Sequence, residues 1–205
     1  MTAVGETVLQ DDEAADWALI RRIGDGDEAA LERLYKRYYA ILYRFVLRVT
    51  RRPECCEEVV NDVMYIVWQK AAATTPLSRA STWILGIAHK RALKAIERHG
   101  RDSFAVNDSE ALDSIATDDM TEVVSTTSLA EKAFALLTPE QRAVMELVYY
   151  HGLPYQDIAV ALECPENTVK TRMFHARKRL RVFWPELTGQ AAGLTAAGDA
   201  QEVEA

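Results

Sequence analysis

The sequence predicts an all-α protein made of two small helical domains joined by an acidic linker, the C-terminal one containing a helix-turn-helix. Three observations carry this. Apolar residues recur at 3.6-residue spacing along most of the chain, and no segment sustains the period-two alternation of a half-buried strand. Proline and capping residues stand where helices would begin, as at Asp27, Pro53, Thr138, Pro154 and Pro165. Charge falls in blocks: residues 17–101 hold 16 bases against 9 acids, and residues 102–130 hold 7 acids and no base.

Taken in order, residues 1–16 carry 5 acids and no base and read as an acidic N-terminal extension. After Gly24-Asp25-Gly26, Asp27 caps a helix whose stripe is Leu31, Leu34, Tyr35, Tyr38, Leu42, Phe45, Val46 and Val49. Its other faces carry Arg33, Lys36, Arg37, Arg44 and Arg48. Pro53 opens a second helix, ECCEEVVNDVMYIVWQKA, with Val59, Val60, Val63, Ile66 and Val67 inward and with Tyr65 and Trp68 expected in the core. The polar break ATTPLSRAS leads to a third helix from about Ser81, which buries Ile84, Ile87, Ala88, Ala92, Ala95 and Ile96 and stops at Gly100. These elements form a first domain, residues 17–101.

Residues 102–128 are acidic, rich in Ser and Thr and weakly periodic, the composition of a linker. A short helix spans residues 129–137. Thr138 then caps PEQRAVMELVYYHG, Pro154 starts PYQDIAVALE, and Pro165 starts a final basic helix. The second domain is thus residues 129–187, and the tail, residues 188–205, is expected to be disordered.

The composition bounds function. With 49% apolar and 27% charged residues, the chain has the profile of a soluble globular protein. No apolar run approaches the ~20 residues of a membrane span, and the first residues lack a signal peptide's basic start and apolar core. A cytoplasmic protein without membrane insertion is expected. Cys55, Cys56 and Cys164 form no C-x-x-C or Cys/His cluster, so they are expected as buried or half-buried thiols. His89, His99, His151 and His175 have no metal-ligand spacing, and no nucleophile elbow or phosphate loop is present. No cofactor, metal or enzymatic activity is expected.

The informative segment is TVKTRMFHARKRLRVFW. Val169, Met173, Ala176, Leu180 and Phe183 fall on one buried face, which forces Lys170, Arg172, Arg177, Lys178, Arg179 and Arg181 onto the others. Between residues 170 and 181 there is no acid, although the chain's net charge is −7, so these six charges repel unless a polyanion or solvent meets them. YQDIAVALECPENTVKTRM, just before, reads as helix, tight turn, helix. That geometry lays a second helix in the DNA major groove with its N-terminal residues at base edges. Asn167, Thr168, Lys170, Thr171, Phe174 and His175 are the base-side candidates; Lys178, Arg179 and Arg181 fit phosphate contact.

At this point the residues carry a resemblance. LTPEQRAVMELVYYHGLPYQDIAVALECPENTVKTRMFHARKRL resembles the C-terminal DNA-binding region of bacterial RNA polymerase sigma factors of the extracytoplasmic-function type. It departs from the family pattern at Pro154-Tyr155, at Asp157 where Glu is usual, and at Asn167 where Gly is usual. CEEVVNDVMYIVW resembles the family's segment that docks on the clamp helices of core RNA polymerase, which places Glu57, Glu58, Asn61 and Asp62 on the docking face. STWILGIAHKRALKAIER resembles the helix that recognises and melts the −10 promoter element, and Lys90 and Lys94 stand where the family often has Asn and Asp.

The resemblance implies region 2 at residues 17–101 and region 4, which binds the −35 element, at residues 129–187. It further implies a melting surface of Trp83, His89, Lys90, Arg91, Lys94 and Arg98, with a pocket for a flipped base in ATTPLSRAS. Trp83 is equally readable as a core residue. The implied partners are core RNA polymerase (clamp helices and flap), promoter DNA and an anti-sigma factor, with the linker threading toward the polymerase channels. The competing reading is a stand-alone helix-turn-helix regulator driven by a sensor domain, for which the N-terminal half offers no α/β receiver pattern.

Overall fold

The structure, a computed structural model, describes residues 13–76, 78–100 and 129–187, and all regular elements among them are helical. Most of the acidic extension, the whole linker and the tail lie outside the described residues.

Helix α1 (Glu13–Gly24) begins inside what the sequence reads as the N-terminal extension. Four of those extension residues therefore belong to the first domain. Trp17, Ile20 and Ile23 give α1 a buried face, and Asp16 is buried with them. The Tyr38 hydroxyl donates to Asp16 Oδ2 at 2.6 Å, and Arg37 Nε stands 3.2 Å from Oδ1. A buried carboxylate is tolerated when it is paired in this way. Burial and the Asp16 carboxylate together push the Tyr38 phenol well above its ordinary range, so it serves as a permanent donor.

Helix α2 (Glu28–Thr50) starts where Asp27 predicts, with its side chain accepting from Ala30 N at 3.0 Å. Arg22 clamps the same carboxylate at 2.6 Å and holds it below the usual carboxylate range. A 3-10 turn at Pro53–Cys55 leads into α3 (Cys56–Lys70). Cys55 and Cys56 are buried as expected, and burial pushes the Cys56 thiol up to about 12. Helix α4 (Ala80–Gly100) lies across α1, α2 and α3.

The second group is α5 (Leu129–Ala135), α6 (Pro139–Tyr149), α7 (Tyr155–Ala161) and α8 (Glu166–Leu187). Thr138 and Gln141 form a reciprocal capping box at the start of α6, with Gln141 N donating to the Thr138 hydroxyl at 3.3 Å and Thr138 N donating to Gln141 Oε1 at 3.2 Å. Gly152 stands beyond the end of α6 at φ 62°, a left-handed conformation that suits glycine.

The two groups do not stand apart. α6 lies on α2 and α7 on α4, and the buried apolar residues run through both as one cluster, from Leu42 and Phe45 to Leu147 and Ile158. Gly86 makes the second contact possible: a Cβ there would sit 2.8 Å from the Ala161 carbonyl oxygen.

Candidate nucleic-acid interface

The helix-turn-helix consists of α7, the turn Leu162–Pro165 and α8. Glu163 takes the left-handed conformation in the turn, at φ 48°. Val169, Met173 and Ala176 are buried, as the spacing requires, and fix α8 against α6 and α7. The opposite side exposes Asn167, Lys170, Thr171, Phe174, Arg177, Lys178 and Arg179, while Thr168, Arg172 and His175 are half-buried.

The basic residues of α8 fall into two sets. Lys170 pairs with Glu166 at 2.7 Å, an acid one turn earlier that lies outside the acid-free stretch. Arg177 donates to the Tyr149 hydroxyl at 3.0 Å, and Arg172 turns toward Cys164, with Nη1 4.0 Å from the sulfur. Lys178, Arg179 and Arg181 are exposed and have no ion-pair or hydrogen-bond partner among the described residues. Thr171 returns its hydroxyl to the Asn167 carbonyl at 2.8 Å. Phe174, 63% exposed, packs edge-on to His175.

On α4 the candidate residues separate by environment. Trp83 is half-buried and stacked on Trp17 with ring centroids 6.0 Å apart, and Trp17 Nε1 donates to the Ser78 carbonyl at 3.1 Å. Of its two readings, packing is the one the structure displays. His89, placed on the melting surface by resemblance, is instead 4% exposed. Burial, with Arg172 and Lys90 nearby, pushes its imidazole down to about 4, so it is neutral at physiological pH. Lys94 is exposed, and Lys90 is exposed but paired with Glu163 of the helix-turn-helix.

The arginines of α4 meet the acids of α3. Arg91 pairs with Asp62, and Arg98 Nη2 donates to Glu58 Oε2 at 2.7 Å. Residues assigned separately to polymerase docking and to DNA melting thus line one groove between the two helices, together with Lys94. On the other side of α3, the Tyr35 hydroxyl donates to Asn61 Oδ1 at 3.0 Å and the Tyr39 hydroxyl to Glu57 Oε1 at 3.5 Å. Tyr35, Tyr39 and Tyr43 follow one another along α2 at centroid spacings of 5.6 and 6.0 Å.

Tyr65 and Trp68, expected in the core, are 54% and 50% exposed. They pack on each other at 5.9 Å and edge a shallow groove with Ile23, Gly24, Gly26 and Gln69. The helical phase contains the signal: Asn61, Tyr65 and Trp68 are spaced i, i+4, i+7, so both aromatics share the polar side of α3.

Comparison with known proteins agrees with this layout. Residues 34–102 match Sigma-70 region 2, and residues 128–180 match Sigma-70, region 4. The ECF RNA polymerase sigma factor SigK of Mycobacterium tuberculosis is 31% identical over 173 residues, covering 80% of this chain and 90% of that protein. The ECF RNA polymerase sigma factor RpoE of Cereibacter sphaeroides is 33% identical over 174 residues, covering 81% and 93%. Among solved structures, CnrH in complex with the cytosolic domain of CnrY superposes with a TM-score of 0.60 at 16% identity, over 84% of this chain and 98% of that one. The sigma factor RpoE of Bartonella quintana, in complex with the anti-sigma factor NepR, gives 0.54 at 24% identity, over 74% and 91%. At these identities the two structures show a shared fold.

Proposed function

The chain belongs to the extracytoplasmic-function sigma factors of RNA polymerase and directs transcription initiation; on that premise we propose how its surfaces divide the work. Residues 17–101, extended back to Glu13, act as region 2 and residues 129–187 as region 4. The protein performs no chemistry of its own and works in the cytoplasm, where polymerase and promoter meet. Among the described residues no helix is long and apolar enough to cross a membrane.

In this reading α8 binds the −35 element. Lys178, Arg179 and Arg181 take phosphates, and Asn167, Thr168, Lys170, Thr171, Phe174 and His175 face the bases. The observation that carries it is the set of three exposed cations on α8 with no protein partner among the described residues, on a helix-turn-helix frame. Lys90 and Lys94 of α4 face the −10 element, while Arg91 and Arg98 hold the acids of α3 in place.

Glu57, Glu58, Asn61 and Asp62 form the polymerase-docking face, and Tyr65 and Trp68 supply the aromatic anchors that interfaces of this kind concentrate. Clamp helices and flap of core polymerase, promoter DNA and an anti-sigma factor are the partners. The anti-sigma factor is proposed because two proteins of the same fold are seen with partners of that kind or with a cytosolic domain bound.

The test is in vitro transcription from a promoter library with core polymerase, with and without this chain, read together with permanganate footprinting. Transcripts and open complexes that require the chain are the expected result. Tight, sequence-specific duplex binding by the free chain, with no effect on the polymerase, would favour a stand-alone regulator.

A further inference from the structure

The segment that joins α3 to α4 is gripped at both ends by α1. Where the segment begins, the C-terminal end of α1 lies on the 3-10 turn Ala71–Ala73 that follows α3. A Cβ on Gly24 would stand 2.9 Å from the Ala72 backbone, so only glycine lets the two chains approach this closely. Where the segment ends, Glu13 accepts from the Ala80 amide with one carboxylate oxygen and from the Ser81 hydroxyl with the other. Trp17 Nε1 donates to the Ser78 carbonyl, and its indole stacks on Trp83 in the first turn of α4. Ala71 and Ala80 are buried at the two ends, while Thr75 and Pro76 between them are exposed.

Helix α1 is itself held firmly. Asp16 accepts from the Tyr38 hydroxyl of α2, and Trp17, Ile20 and Ile23 are buried along its inner face. At a rise of 1.5 Å per residue, the 12 residues from Glu13 to Gly24 set the two anchor points about 17 Å apart. A connection with free ends has to be ordered when it takes a ligand, and ends fixed beforehand remove part of that entropy cost.

Opening a promoter requires an unpaired base to be held outside the stack, against the loss of its pairing and stacking. The segment between α3 and α4 carries the hydroxyls of Thr75 and Ser78, groups that both donate and accept and can pair with a base edge. We propose that α1 is a strut that presets this segment for promoter opening, with Glu13 and Trp17 as positioning residues for capture of an unpaired base of the −10 element. This rests on the assignment of α4 and the segment before it to that element. Neither residue touches DNA: Glu13 acts through the Ala80 amide and the Ser81 hydroxyl, and Trp17 through the Ser78 carbonyl and Trp83.

The test uses the full chain bound to core polymerase and a promoter taken from the library, prepared with each −10 position of one strand made abasic in turn. Permanganate footprinting follows the rate of opening, and competition with a labelled parent chain gives the affinity for core polymerase. The parent is expected to open about tenfold more slowly when the captured base is missing. Glu13→Ala and Trp17→Phe should each open the intact promoter about tenfold more slowly, bind core polymerase as the parent does, and no longer distinguish the intact from the abasic form. Glu13→Gln keeps an acceptor and should recover most of the rate. Asp27→Ala removes a helix cap of similar worth in the same domain and should keep the parent's rate and base dependence. Equal slowing by Asp27→Ala would reduce the effect to stability and overturn the proposal. Base dependence retained by both Glu13→Ala and Trp17→Phe overturns the strut alone. A parent that opens every abasic form as fast as the intact promoter overturns the strut together with the assignment of the segment.

Discussion

The carboxylate of Glu13 caps a helix that starts 67 residues later: Oε2 accepts from Ala80 N at 2.7 Å and Oε1 from the Ser81 hydroxyl at 2.8 Å. The first amides of a helix have no partner within it, and a negative charge beside them is doubly favourable because of the helix dipole. The first residue of α1 therefore fixes where α4 begins, and Trp17, stacked on Trp83, holds the same end. Glu13→Ala should lower the unfolding free energy by about 1–2 kcal/mol, the cost of losing a cap. Urea unfolding followed by circular dichroism measures it, and a variant as stable as the parent would contradict the capping role.

This contact also marks what the sequence could and could not reveal. The caps at Asp27 and Thr138 are local, set within three residues of the helix start, and their side chains alone predicted them. The capping of α4 is long-range, so Glu13 and Asp16 read as part of an acidic extension when they are structural. Tyr65 and Trp68 are of a residue type that suits a core, but their helical phase sets them on the polar side of α3. The burial of His89 is not legible in the sequence, because it comes from α7 packing over that face of α4. The stripe of α8 was legible because the buried residues Val169, Met173 and Ala176 keep strict helical spacing.

Tyr65→Ala and Trp68→Ala should separate docking from folding. Both side chains are half exposed, so each change is expected to cost about 1 kcal/mol of stability or less. If the pair anchors core polymerase, the double variant loses about 30-fold or more in affinity, the scale of an interface hot spot. Core-enzyme affinity by competition with a labelled parent chain gives the answer. Unchanged affinity would remove the aromatics from the docking face.

Reversing charge at Glu58 and Asp62 probes the neighbouring groove differently, because each acid holds an arginine of α4. The double reversal should weaken core-polymerase binding and also loosen α4, since Arg91 and Arg98 then face like charge. Restoring attraction with Arg91→Glu and Arg98→Glu should recover stability but leave polymerase binding weak. Recovery of both together would mean that the acids act only by positioning α4.

On α8, Arg179→Ala should weaken binding of the polymerase complex to all promoters alike and reduce the salt slope by ~1, the signature of one lost phosphate contact. Lys170→Ala and His175→Ala should change which upstream sequence is preferred, by about 1–3 kcal/mol of discrimination per base-reading contact. Selection from a randomised −35 element, read at two salt concentrations, separates the effects. A uniform loss on every sequence for all three variants would place no base contact at Lys170 or His175.

The pH dependence of stability follows from three buried groups whose shifts oppose one another. Burial pushes the Glu146 carboxyl up to about 7 from an ordinary 4.5, more than Arg48 pulls it down. Burial pushes His89 and His151 down to about 4 from an ordinary 6.5, helped by Arg172 and Lys90 beside the first and by Arg48 and Arg44 beside the second. At 3.9 Å from Glu146, His151 is then a neutral neighbour near pH 7 and makes no ion pair. The raised carboxyl contributes stability that is complete below pH 4.5 and lost as pH rises through about 7. Each depressed histidine contributes stability that is complete above pH 6.5 and lost as pH falls through about 4. Between about pH 6.5 and 4.5 the unfolded chain holds up to two histidine protons that the folded chain lacks, and the folded chain holds up to one on Glu146 that the unfolded chain lacks, so acid should destabilise by at most about 1.4 kcal/mol per pH unit. Glu146→Gln removes the opposing group and should steepen the dependence toward two protons. His89→Gln with His151→Gln removes the other two and should invert its sign, leaving a chain that gains stability from these groups on acidification. Urea midpoints at half-unit steps from pH 4.5 to 7 test this, and the idea fails if the double histidine variant keeps the parent's slope.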